Sequence, residues 1–238
     1  MSIVYDPTLV MLSVFVAIIG SLTGVAVTFG YDGSSVQLSP KSLIRGAVII
    51  GGSIWSMHFI AMLAVKFPVP IDYSSTETLL SLCVAIFFTG VGLTLASLKG
   101  LGQFKLPVAA AIMGSGIGSM HYLGMSAIRG CGIAYDFNMV AVSVGVAIAC
   151  AGVALWFAFR KRGAIETLLG GVVLGLAIAG MHYTGMYATS FYPVAVTFDV
   201  GAPVLSQAVL ALSVAAATLI ICGYYLFLFS SMLSHEEA

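Results

Sequence analysis

Apolar runs of twenty or more residues follow one another along almost the whole chain, separated only by short polar or Pro/Gly-containing links. A helix needs roughly 20 apolar residues to cross the hydrocarbon layer of a bilayer. Lipid offers the backbone no hydrogen-bond partner, so segments of this kind must be helices or strands of a closed barrel. Barrel strands alternate apolar and polar residues over about 10 positions, whereas these runs are longer and continuously apolar. Charged residues make up only 8% of the 238, and mean hydropathy is +1.10; a soluble domain carries about a quarter charged residues. The fold class expected is therefore an all-α integral membrane protein.

The runs predict seven transmembrane helices, at about 8–30, 43–65, 76–98, 106–128, 138–159, 165–190 and 204–230. The links are Asp32–Pro40, Lys66–Ser75, Lys99–Lys105, Arg129–Phe137, Arg160–Gly163 and Phe191–Pro203. Basic residues concentrate on cytoplasmic loops. With the N-terminus outside, the inner links and helix ends hold Lys41, Arg45, Lys99, Lys105, Arg160, Lys161 and Arg162, and the outer ones only Lys66 and Arg129. The C-terminus is then cytoplasmic. Met1–Pro7 has no basic residue, so the first run is expected to be a mature span rather than a cleaved signal. The expected organisation is one transmembrane domain over 1–238 in the inner (plasma) membrane, with 234–238 as a short cytoplasmic tail. A net charge of zero gives no electrostatic case for nucleic acid. Cys83, Cys131, Cys150 and Cys222 match no zinc or redox spacing.

Three of the four histidines belong to one pattern, Met-His-x-x-x-Met. It occurs as Met57-His58-Phe59-Ile60-Ala61-Met62, Met120-His121-Tyr122-Leu123-Gly124-Met125 and Met181-His182-Tyr183-Thr184-Gly185-Met186. The period is 63 and then 61 residues, one helix pair per copy. This predicts three parallel two-helix repeats plus a seventh helix, with a motif on the second, fourth and sixth. Residues four apart share a helical face, so His58 and Met62, His121 and Met125, and His182 and Met186 point into one space. Each histidine is expected seven or eight residues before the outer end of its helix, about 10–12 Å down at 1.5 Å per residue.

Ionisable groups inside a membrane are functional by default, and these donors narrow the ligand. Imidazole suits copper, zinc, iron or nickel, while thioether sulfur favours soft copper(I). No carboxylate falls inside a motif, which argues against calcium and magnesium. Copper, as Cu(I)/Cu(II), is the best match, with His58, His121, His182, Met62, Met125 and Met186 as candidate ligands. Haem competes, since His/Met and paired histidine both serve as its axial ligands. Met57, Met120 and Met181 are either further ligands or core fillers. Tyr122 and Tyr183 either hydrogen-bond an imidazole or pack at the membrane interface, and packing is favoured because Phe59 takes the same place without a hydroxyl. Gly124, Gly185 and Ala61 are expected to permit close helix contact. Transport of copper is a competing reading, although no ladder of soft or polar groups leads inward from the motifs. A retinal photoreceptor is disfavoured, since all five lysines lie in links or at helix ends. No nucleophile–base set, phosphate loop or carboxylate pair suggests an enzyme.

The three motifs resemble those of the MHYT family of bacterial seven-helix membrane sensor proteins. Met181-His182-Tyr183-Thr184 carries the full string; the copies at Met120 and Met57 depart from it at the fourth, and at the third and fourth, positions. The resemblance implies a copper-binding module that detects a diatomic gas (oxygen, carbon monoxide or nitric oxide) or redox state. It also implies signalling to a cytoplasmic output, with any catalysis in a separate domain or partner protein.

Overall fold

The computed structural model describes residues 1, 3–29, 39–98, 102–159, 164–194 and 203–236. Lys99, Arg160, Lys161, Arg162 and Asp199 of the links, and the last two residues of the tail, lie outside them. Seven helices run through the described residues: α1 Pro7–Phe29, α2 Pro40–Leu63, α3 Ser75–Ser97, α4 Lys105–Ser126, α5 Phe137–Phe159, α6 Ala164–Tyr187 and α7 Gln207–Glu236. Six are long and apolar enough to cross a membrane. The exception is α4, whose apolar content is diluted by Gly114, Gly116, Gly118, Gly124, His121 and three serines. With 22 residues it is nearly as long as its neighbours, and the helices around it cover much of its surface. The chain is a multi-pass membrane protein.

Helices α1 to α6 form a closed ring in chain order, with α6 packing back onto α1. The even helices also touch one another across the middle, and α7 lies outside against α2 and α1. The close approach has a local cause. A Cβ added at Gly51, Gly114 or Gly175 would strike the backbone of Ala85-Ile86, Ala147-Ile148 or Ala17-Ile18 respectively. Each contact joins an even helix to an odd one, and the odd helices share a second repeat: Ser13-Val-Phe-Val-Ala-Ile18, Ser81-Leu-Cys-Val-Ala-Ile86 and Ser143-Val-Gly-Val-Ala-Ile148. In α7 the corresponding stretch is Ser213-Val-Ala-Ala-Ala-Thr218, a weaker copy that leaves the sixth ring position to α1.

One end of the ring carries seven short strands: β1 Val4–Tyr5, β2 Val65–Lys66, β3 Asp72–Ser74, β4 Ile128–Arg129, β5 Cys131–Tyr135, β6 Thr189–Pro193 and β7 Val204–Leu205. The strand before each odd ring helix pairs antiparallel with the strand after the next even helix, as β1·β2, β3·β4 and β5·β6; β7 adds to β3. The backbone N–H groups of Asp6, Ser74 and Asp136 donate to the carbonyls of Ala64, Ala127 and Ala188 at 2.8, 2.7 and 2.9 Å. Asp6 and Asp136 also cap α1 and α5, each carboxylate accepting from the next helix's first amides. These bonds draw the chain into strands directly after the motifs. The even helices therefore end at Leu63, Ser126 and Tyr187, earlier than the 65, 128 and 190 expected. Strands of two to five residues inside polar links are too short for hydrophobic periodicity to reveal, and the sequence gives no expectation of them.

Candidate metal centre

Each motif histidine stands five residues before the last residue of its helix. At 1.5 Å per residue that is about 7–8 Å below the helix end, shallower than expected because the helices stop early. The equal offset on three parallel helices brings the imidazoles to one level. All three are fully buried.

The side chains meet through one nitrogen each. His58 Nδ1 lies 3.1 Å from His182 Nδ1 and 3.2 Å from His121 Nδ1, and His121 Nδ1 lies 3.2 Å from His182 Nδ1. The rings stand edge to face, with centroids 5.0–5.1 Å apart. Protons alone do not stabilise this triangle. A neutral imidazole has one N–H and one bare nitrogen, and a protonated Nδ1 cannot accept. Among three Nδ1 atoms at least one edge must then join two donors or two lone pairs. The opposite nitrogens offer no relief, since Nε2 of His58, His121 and His182 are all buried without a hydrogen-bond partner. Buried polar atoms left in this state call for an explanation, which can be strain, a functional role, a water or an ion.

A metal ion fits the arrangement. The centre of a triangle with 3.1–3.2 Å edges lies about 1.8 Å from each corner. Zinc–imidazole bonds are about 2.0–2.1 Å, so a metal ion of that size at the centre would be within reach of all three nitrogens. Three histidines are also the protein ligands of some catalytic zinc sites. Among the described residues the three histidines are the one His/Cys/Asp/Glu cluster with metal-ligand spacing, and it contains no carboxylate. Nitrogens converging on a point 3 Å across leave no gap for a flat macrocycle between axial ligands, so the arrangement does not suit haem.

The remaining predicted residues fall around this centre. Met57, Met62, Met120, Met125, Met181 and Met186 are all buried in the same apolar core. Met181 also lines a narrow apolar seam between α4, α5 and α6 with Ile117, Ala147 and Leu174. Tyr122 and Tyr183 do not bond an imidazole. Their hydroxyls meet Ser143 Oγ at 2.7 Å and Ser13 Oγ at 2.9 Å on the adjacent odd helices. Their rings, like that of Phe59, pack edge-on against the preceding histidine, with centroids 4.7–4.9 Å apart. One turn before the histidines come Ile54, Ile117 and Ile178, and two turns before them Ile50, Met113 and Leu174; all six are buried. These two apolar tiers lie between the site and the far end of the bundle.

Over the site lies a roof that the motifs do not predict. Tyr5, Tyr73 and Tyr135 each fall in the strand before an odd helix, and their rings meet those of Tyr183, Phe59 and Tyr122 at 6.3, 5.9 and 5.4 Å. Burial raises the phenol pKa of all three, and that of Tyr135 reaches about 12, with Tyr122 adding to the effect. Burial also raises the Cys131 thiol in β5, which therefore stays protonated rather than offering a thiolate. A recurring Tyr followed by Asp or Ser before each odd helix is the sequence signal for this roof.

Comparisons with known proteins found one family model and several relatives. A family model described as a bacterial signalling protein N-terminal repeat, MHYT, matches residues 51–108, 114–171 and 175–234. Among curated proteins the chain is 39% identical over 159 residues to the bifunctional diguanylate cyclase/cyclic di-GMP phosphodiesterase MucR of Pseudomonas aeruginosa, covering 66% of this chain and 23% of that protein. It is 34% identical over 154 residues to the cyclic di-GMP phosphodiesterase NbdA of the same species, covering 63% and 19%. It is 32% identical over 153 residues to the signaling protein YkoW of Bacillus subtilis, covering 64% and 19%. The alignments thus span less than a quarter of the length of each of these relatives. No solved structure matches.

Proposed function

This chain belongs to the MHYT family of bacterial signalling proteins, and we propose that it is a membrane sensor module whose trihistidine centre holds copper. The observation that carries the reading is the Nδ1 triangle, which no distribution of protons satisfies and a transition-metal ion does. Copper rests on the soft sulfur around it, from the six buried motif methionines. His58, His121 and His182 would supply three bonds; Met62, Met125 and Met186 stand one turn away for a fourth, with Met57, Met120 and Met181 adjacent. Copper(I) in such a set supplies affinity for a small π-acceptor such as oxygen, carbon monoxide or nitric oxide.

The chain's own residues do the rest. The tyrosine roof and the apolar tiers keep bulk water from the imidazoles, while an uncharged diatomic molecule can enter through lipid. A change in the distance between imidazoles moves α2, α4 and α6 against each other, because the close fit at the glycines leaves little slack between helices. With the strand-bearing end outside, this movement reaches the cytoplasmic face, where a cyclic di-GMP enzyme or another output could read it. In this reading 1–238 is one sensor domain without catalysis of its own. The tiers of Ile54, Ile117, Ile178, Ile50, Met113 and Leu174 favour sensing over copper flux. Protein purified in mild detergent from copper-replete cells should hold copper and lose it in His58→Ala. Copper-free wild type would refute the assignment, and copper flux into proteoliposomes would favour a transporter.

A further inference from the structure

The three-fold pattern of the site is broken at one residue. A Cβ added at Gly124 would collide with Nε2 of His58, and one added at Gly185 would collide with Nε2 of His121. Each of these glycines lies three residues after the histidine of its own motif and seats the histidine of the preceding one. Only a residue without a side chain lets the imidazole tip approach so closely. The nitrogens seated there are buried and without other partners, so the seats act by shape alone.

In the repeat register Ala61, three residues after His58, occupies the position equivalent to Gly124 and Gly185, the one left for His182. Ala61 is fully buried and carries the methyl that the other two seats exclude. The geometry departs from three-fold symmetry at this corner. The rings of His58 and His182 are inclined at 76°, while the other two pairs are both at 85°. We infer that His182 is the movable ligand of the centre, with Gly124 and Gly185 holding His58 and His121 in place and Ala61 acting as the positioning residue that keeps the third seat shallow. This rests on the trihistidine centre binding a metal. It makes the α2–α6 corner the place where the site opens when an incoming ligand needs room, and α6 the helix that moves first.

The test compares metal retention across variants of the full chain in detergent, using copper(I) and a competing chelator, with folding followed by gel filtration and circular dichroism. His182→Ala should keep near-stoichiometric copper, bound more weakly than in wild type. His58→Ala and His121→Ala should lose copper under the same conditions. Ala61→Gly, which completes the third seat, should slow copper release about 10-fold, an effect that lower helix propensity would not produce. Gly124→Ala and Gly185→Ala should speed release. Equal loss in the three histidine variants, or an unchanged release rate in Ala61→Gly, overturns the inference while leaving the copper centre intact. Copper-free wild type overturns both.

Discussion

The same substitution, glycine to alanine, should change the stability of this protein in opposite directions depending on which side of a helix it falls. In an open helix position alanine is favoured over glycine by roughly 0.5–1 kcal/mol. Gly145 and Gly180 are such positions, since an added Cβ meets nothing within 4 Å. Gly51 and Gly175 are the contrary case. A Cβ at Gly51 would sit 2.7 Å from Ile86 Cα and 2.9 Å from the Ala85 carbonyl carbon; one at Gly175 would sit 2.5 Å from Ile18 Cα. Carbon atoms pack at about 3.5–4.0 Å, so the helices must separate by about 1 Å, and the obstructing atoms are backbone that cannot rotate away. Overpacking of this kind costs about 1–3 kcal/mol. Subtracting the intrinsic gain, Gly51→Ala and Gly175→Ala should destabilise by up to about 2 kcal/mol, while Gly145→Ala and Gly180→Ala stabilise. Thermal unfolding in one detergent, scored as aggregation-free monomer, measures all four. Should Gly51→Ala melt at or above Gly145→Ala, ring packing is not set by the close backbone approach at these glycines.

Other perturbations test separate parts of the structure. Added copper at 100 times its dissociation constant should stabilise wild type by about 2.7 kcal/mol, and the shift should vanish in His121→Ala. Tyr183→Phe and Tyr122→Phe should each cost no more than about 1 kcal/mol and keep metal, because Phe59 already fills the equivalent place and each serine still donates to its own helix. Arg129→Ala removes the ion pair with Glu77 at 2.7 Å; with both partners partly exposed, the loss should be under about 1 kcal/mol and shrink in salt. Tyr135 should ionise near pH 12 rather than 10. Because its folded pKa is raised, the stability it adds is present below pH 10 and lost as pH climbs toward 12. Ultraviolet titration of phenolate in wild type and Tyr135→Phe should show one late-ionising tyrosine missing from the variant.

Much of the site was legible in the sequence because it depends on helical period and apolar length. Continuous apolar runs specify membrane helices whatever their neighbours. A histidine at one offset in each of three parallel helices specifies a shared level. The ring-forming glycines and the Ser-x-x-Val-Ala-Ile stretches are also present in the sequence, but as small apolar residues they carry no signal until a neighbouring helix shows what they admit. The depth expected from the sequence is too great for a related reason. Helix ends here are set by amides of Asp6, Ser74 and Asp136 reaching carbonyls about 50 to 60 residues away, a long-range bond that local propensity does not contain.

Which imidazole nitrogen faces the centre is a matter of tertiary structure alone, since side-chain rotamers answer to the packing around them. So is the destination of the tyrosine hydroxyls, drawn to serines on adjacent helices rather than to the histidines beside them. Apolar length and helical period suffice to put three soft-donor motifs at one height within a membrane bundle. Only the closing of the ring by α1, through the backbone approach at Gly175 that α7 does not make, decided that they would meet in a triangle barely 3 Å across.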